Sequence, residues 1–145
     1  MRSALPRAFT LVEILIVVVI LGILAAIVIP SFNSTVSDVA ATASYNELQK
    51  LRRHIGVFKA RNSDALPAVT AGDGTWGQLV GNGDYFLSAP VNAWIGGANS
   101  RAIVVMPAAV PDAAYHTNYG WIYDPNNGEI YAAGFDANDD PLPRP

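Results

Sequence analysis

The chain has 145 residues, 51% of them hydrophobic, 14% charged, with a formal net charge of -3. That length holds one domain and an appendage, and the mild acidity gives no overall electrostatic footprint for nucleic acid. There is no cysteine, which excludes disulfide staples, thiolate metal sites and cysteine nucleophiles.

The first element is an apolar segment. Ile14 to Ile29 carries no polar side chain, and from Phe9 the run is broken only by Thr10 and Glu13. As a helix it spans roughly 30 Å, the hydrocarbon thickness of a bilayer. Arg2 and Arg7 precede it and no base follows until Lys50, so the positive-inside bias leaves the N-terminus in the cytoplasm and exports the rest. A secretory signal peptide would end in a small-residue cleavage site. Here the apolar core runs straight into Pro30, Ser31 and Phe32 and then into a helical pattern. The single acid, Glu13, sits at the front edge of the core. There a charge is tolerated better than at mid-depth, and inside a dry helical bundle it needs a partner.

The stretch AFTLVEILIVVVILGILAAIVIP resembles the N-terminus of the type IV pilin and type II secretion pseudopilin family: a short basic leader, then Phe-Thr-Leu-hydrophobic-Glu, then an apolar helix. The resemblance covers Arg7 to Pro30, is looser through the following helix, and is weak by exact residue beyond it. It implies that a prepilin peptidase cuts between Ala8 and Phe9 and methylates the new Phe9 amine; where the family usually has Gly before the cut, this chain has Ala8. After that cut the carboxylate of Glu13 and a terminal ammonium lie near one end of an apolar helix. An amine with a pKa near 8 stays cationic at neutral pH, and pairing it with Glu13 of a displaced copy sets register between helices that otherwise slide. The resemblance implies this assembly role for Glu13. Gly22 and Ala26 form a small-xxx-small pair suited to close helix approach. Gly22 and Pro30 weaken helical hydrogen bonding and are assigned to helix packing and flexibility.

The second element is an amphipathic helix. Apolar residues recur at Phe32, Val36, Val39, Ala40, Ala43, Leu48, Leu51, Ile55 and Phe58, in steps of mostly three and four. Lys50, Arg53 and Arg61 occupy another face, and Asn62-Ser63-Asp64 with Pro67 marks the end. Phe9 to Arg61 would measure roughly 80 Å as one helix. Ser31 to Asn62 holds five bases and two acids, a net +3. Ser63 to the C-terminus holds two bases and nine acids, a net -7. A basic rod joined to an acidic head suits head-against-rod packing of identical subunits; two solvated surfaces of unrelated sign is the plainer alternative.

The rest reads as a head. Leu66 to Ser100 is rich in Gly, Pro and Asn and reads as a structured loop covering a sheet edge, with a short helix or strand near Trp76 to Val80 and a buried aromatic turn around Pro90. Three strands follow: RAIVVM (Arg101 to Met106), YGWIYD and EIYAAG. The turn sequence Asp124-Pro125-Asn126-Asn127-Gly128 joins the last two as a hairpin. All three Trp (Trp76, Trp94, Trp121) lie in this part and read as core. The expected fold class is α+β: a long N-terminal helix, its first half transmembrane, with a small antiparallel sheet on its second half, the pilin fold that the resemblance implies. The organisation is leader 1–8, transmembrane and assembly helix 9–30, amphipathic helix 31–62, and head 63–145.

Asp136, Asn138 and Asp140 have the D-x-N-x-D spacing that opens a calcium loop, with Asp112 a further oxygen donor. Pro141 stands where the turn Gly belongs, and no acid follows at the twelfth position. The alternatives are a calcium site, as in the C-terminal loop of major pseudopilins, and a solvated acidic tail. His54 and His116 lack ligand spacing. No nucleophile elbow, phosphate loop or paired catalytic carboxylate is recognisable, so the chain is read as not an enzyme, with no cofactor other than the calcium alternative. The bases of the helix suit an acidic neighbour better than DNA.

The resemblance therefore implies a structural subunit of a pilus-like filament, a major pseudopilin of type II secretion in the first reading. It would sit in the inner membrane as a single pass, N-terminus cytoplasmic, head periplasmic or extracellular. Its partners would be copies of itself, the prepilin peptidase, the inner-membrane assembly platform and other minor pilin-like subunits. The alternatives are a type IV pilin for adhesion, motility or DNA uptake, and a membrane-tethered binding module that never polymerises.

Overall fold

The structure, a computed structural model, describes residues 9–81 and 84–145, with 29–34 through their backbone alone. Ala8, the residue before the expected cut, lies outside the described residues. One α-helix, α1 (Leu11–Arg61), is followed by a 3-10 turn (Ala98–Arg101) and three short strands: β1 (Ile103–Val105), β2 (Trp121–Tyr123) and β3 (Ile130–Ala132). The fold class is α+β, and the chain divides into two compact units at Val36 and Ser37.

In the first unit, Leu11–Val28 of α1 is long and apolar enough to cross a membrane, and every side chain in it is exposed. Among the described residues none of these apolar side chains is buried. The backbone stays helical through Gly22 and Pro30.

In the second unit, Ser37–Pro145, α1 contributes Leu48, Leu51, Ile55 and Phe58 to the interior, residues spaced three and four apart on one helix stripe. The apolar stripe is buried over a shorter stretch than its periodicity suggested. Val36 and Val39, placed on it by spacing, are 65% and 63% exposed. The helix meets the head only from about Ala40 onward, where Ser44 is fully buried. Its hydroxyl donates to Ala40 O and accepts from Trp94 N, both within 2.9 Å.

The sheet order is β1-β2-β3, and it is mixed rather than wholly antiparallel. β2 and β3 pair antiparallel with Tyr123 opposite Ile130, as the hairpin turn requires. β1 and β2 pair parallel, with Ile103 opposite Trp121. The antiparallel expectation fails at this pair because Met106 to Gly120 intervenes. A connection of more than about a dozen residues can cross over and return in the same direction. Gly72 bridges the outer edge of β1, exchanging both backbone bonds with Ile103 at 3.0 and 2.6 Å, so that edge is covered by the preceding loop. Trp76 to Val80 forms successive turns instead of a helix or strand. Trp76 and Gly77 both have positive φ, 44° and 62°, which neither regular element accommodates.

Trp121, Tyr123, Ile130 and Ala132 share one core cluster with Leu48, Leu51 and Ile55 of α1 and with Trp76 and Trp94. Two of the three indole N–H groups are partnered, while Trp94 Nε1 is buried without a hydrogen-bond partner among the described residues. Trp76 Nε1 donates to Arg101 O at 2.9 Å and Trp121 Nε1 to Pro90 O at 3.0 Å. Phe135 packs edge-on to Trp94. The three tryptophans are therefore interior.

Candidate functional site

The N-terminal end of α1 is built by two residues. Thr10 precedes the first helical residue, Leu11, and Glu13 is the third helical position. Glu13 N lies 3.2 Å from Thr10 Oγ1, while Glu13 Oε2 accepts from both Thr10 N and Thr10 Oγ1 at 2.9 Å. This is a reciprocal capping box, which satisfies donors that the helix start leaves open. Phe9, just before it, is 79% exposed and lines a shallow cavity with Ile14, the pair of positions that forms a hydrophobic staple. Spacing could have found the box: Thr10-x-x-Glu13 ahead of an apolar run is its signature. Glu13, expected to meet a partner on another copy, also has one within its own chain. The two are compatible, because the box uses Oε2 and no donor faces Oε1 among the described residues. One carboxylate oxygen thus stands open at the mouth of an apolar helix whose side chains are exposed all round.

Of the other predicted sites, Gly22 has open space where a side chain would begin, as a helix surface available to another chain requires. Pro30 is within the helical backbone, and its side chain is outside the described residues.

The acidic C-terminal loop is organised by its own amides and by α1. Asp136 Oδ1 accepts from Asn138 N at 2.8 Å and Asp140 N at 3.0 Å. These bonds hold the carboxyl of Asp136 below the usual carboxylate range, the Asp140 amide first and the Asn138 amide second. Asp139, at φ 62°, receives both terminal nitrogens of Arg52 as a bidentate pair, Nη2 to Oδ1 at 2.9 Å. The donor oxygen of Asp136 is committed to the loop and Asp139 to a guanidinium. Asp112, the further donor, is turned elsewhere. It accepts from Gly134 N at 2.8 Å and Tyr119 OH at 3.3 Å, with His116 Nε2 at 2.9 Å. Burial first, and Asp112 second, push the Tyr119 phenol up. Among the described residues no group of three or more His, Asp or Glu is placed to hold a metal. Arg52 holds Asp139 and backbone amides hold Asp136, so of the loop's carboxylates only Asp140 stays open among the described residues, too few oxygens for a calcium site. His54 is an aromatic neighbour, 4.6 Å from the Phe86 ring and edge-on to it.

Asn92 was not singled out from sequence and is the polar centre of the head. It is fully buried. Its Nδ2 donates to Gly120 O at 2.8 Å and Ala133 O at 2.9 Å, and its Oδ1 accepts from Trp94 N at 3.0 Å and Ile95 N at 3.2 Å. One side chain so joins the aromatic turn to the entry of β2 and the exit of β3.

A family model falls on the same N-terminal segment, and two curated relatives match over longer stretches. Residues 6–29 match the family model described as the prokaryotic N-terminal methylation motif. Over 82 residues the chain is 38% identical to the type IV major fimbrial protein FimA of Dichelobacter nodosus, covering 57% of this chain and 48% of that one. Over 72 residues it is 38% identical to type II secretion system core protein G of Pseudomonas aeruginosa, covering 50% of each. The chain spans about half the length of these relatives. No solved structure matches it.

Proposed function

That this chain carries the N-terminal segment of the type IV pilin and pseudopilin family is the premise from which we propose that it is a structural subunit of a pilus-like filament. The observation that carries the proposal is the open Oε1 of Glu13 at the head of a helix with no core of its own. A lone copy has a use for the carboxylate, the capping box, and keeps one oxygen for a second donor. A cut between Ala8 and Phe9 removes 1–8 and creates that donor, a terminal ammonium, on every copy. A neighbour displaced along the axis brings its ammonium to Oε1, and the charge pair fixes the register of helices that apolar packing alone leaves free to slide. Gly22 supports close approach, and Gly22 with Pro30 gives the helix room to yield.

The precursor is held in the inner membrane with its N-terminus cytoplasmic and is handed to the assembly platform after processing. The first reading is a major pseudopilin of type II secretion, supported by the small head without cysteine and by the likeness to a core protein G. The second is a type IV pilin, supported by an equal identity to a fimbrial protein. Either role is mechanical, and no residue is assigned to catalysis.

Mass measurement of the membrane-extracted chain tests processing: N-methylated Phe9 is expected at the mature terminus, whereas an intact Met1 or a cut after Pro30 ends the proposal. Electron microscopy separates the two readings, since short periplasmic fibres support the pseudopilin and long surface fibres the pilin. Absence of any fibre, with the processed chain abundant, leaves only a membrane tether.

A further inference from the structure

The head carries two complementary surfaces that do not satisfy each other within one molecule. The first is a notch of about 370 Å³ between α1 and the C-terminal loop, lined by Ala41, Tyr45, Phe135, Asp140 and Pro141 among others. Tyr45 is 43% exposed. Asp139 on its rim is taken by Arg52, whereas the Asp140 carboxylate is exposed and has no ion-pair partner among the described residues. An apolar floor with an aromatic ring and one open carboxylate suits a long cationic side chain. Its stem lies on the apolar wall and its head meets the carboxylate. The second surface is the solvent side of α1 near its end. Arg53, Val57, Ala60 and Arg61 are exposed there, and neither arginine has an ion-pair partner among the described residues.

We propose that the notch at Tyr45 and Asp140 receives the Arg53–Arg61 face of α1 from a second copy of this chain. The proposal rests on the filament reading and names the contact that the heads make within it. Charge complementarity selects the occupant, because the open carboxylate and the two free guanidinium groups are on the same molecule but at different heights on α1. Positions 41–45 and 53–61 are separated by about 20 Å of helix rise, so a partner shifted along the axis brings them together. The contact joins two different patches. It is heterologous, and repeated without closure it builds an open helical array rather than a closed dimer.

The absence of cysteine makes the test direct. In the full-length chain, expressed where the filament assembles, Ala60→Cys and Ala137→Cys together place single thiols on exposed residues beside each surface. Treatment with a bis-maleimide is expected to give a ladder of dimers, trimers and higher species, while either cysteine alone gives none. Adding Arg53→Asp and Arg61→Asp should weaken the ladder about five-fold or more, the effect of one or two partly exposed charge pairs, and Asp140→Arg on that background should restore it. A ladder insensitive to charge reversal overturns the proposal, as does monomer alone in fibres visible by microscopy. A separate Val17→Cys variant reports contact between the apolar helices. If it cross-links while the head pair does not, the head contact is wrong and the filament reading stands. If neither cross-links, both fall.

Discussion

Replacing Asn92 by Ala should cost the head about 4 kcal/mol. The side chain makes four hydrogen bonds in a fully buried place, yet not every partner is left alone by its removal. Trp94 N keeps the Ser44 hydroxyl at 2.8 Å. Gly120 O keeps the amide of Ala133 at 2.9 Å. Ala133 O and Ile95 N lose the partners identified for them. Two orphaned buried backbone groups at about 1–3 kcal/mol each give roughly 4 kcal/mol together. All three tryptophans are buried in the second unit, so their fluorescence reports unfolding of the head in the full-length chain in detergent. With a urea slope of about 2 kcal/mol per molar, the midpoint should fall by about 2 M. Asn92→Asp keeps the acceptor but points a carboxylate at two carbonyl oxygens, and should be no better than Ala. A midpoint shift under about 0.5 M for Asn92→Ala, with the slope unchanged, would refute the claim that this side chain organises the head.

Arg52→Ala should destabilise the head by about 1–2 kcal/mol, since the bidentate pair with Asp139 is partly exposed and is discounted for it. The same urea titration checks this, and neither calcium nor a chelator should move the wild-type midpoint. Asp136→Asn should flatten the acid limb of stability. A carboxyl whose folded pKa is depressed contributes above its unfolded value near 3.9 and loses that contribution as pH falls through the folded one; an unchanged limb would remove the loop amides as its cause. Tyr123 and Tyr131 are each pushed up to about 12, the first chiefly by burial and the second chiefly by its bond to Glu129. Their contribution is present below the unfolded phenol value near 10 and is lost as pH rises toward 12. Ultraviolet titration at pH 11 should therefore find the Tyr123 and Tyr131 phenols still mostly protonated. Gly128→Ala should weaken the hairpin, because at φ 77° a Cβ would lie 2.3 Å from Leu66 Cδ2, and the fluorescence midpoint should drop.

The parts of the fold that were legible are those encoded by local chemistry. An uninterrupted apolar run declares its helix, a three-and-four spacing declares the buried stripe at Leu48, Leu51 and Ile55, and Asp124-Pro125-Asn126-Asn127-Gly128 declares a turn. There Gly128 N indeed reaches Asp124 O at 2.9 Å. What was hidden depends on distant partners. Nothing near Asn92 announces that its amide will meet Gly120 and Ala133. The parallel pairing of β1 with β2 depends on the path of a long connection, which periodicity does not encode. Val36 and Val39 fit the helical stripe but are 65% and 63% exposed, which spacing alone does not encode. The acidic loop carries a metal-like spacing at Asp136, Asn138 and Asp140, but the ion pair that ties it to α1 is made by Asp139, between them, with a guanidinium many residues away. Only the capping box at Thr10 and Glu13 was both local and missed.

In the proposed filament Glu13 meets the terminal ammonium of another copy. Counting assembled fibres from cells that produce the Glu13→Gln chain tests this most directly. Glutamine keeps the size of the side chain and one acceptor oxygen for the capping box, while it removes the charge and puts an N–H donor where the open oxygen stood. A processed, membrane-held subunit that scarcely polymerises is the expected result. Fibres of normal number and length from that variant would contradict it.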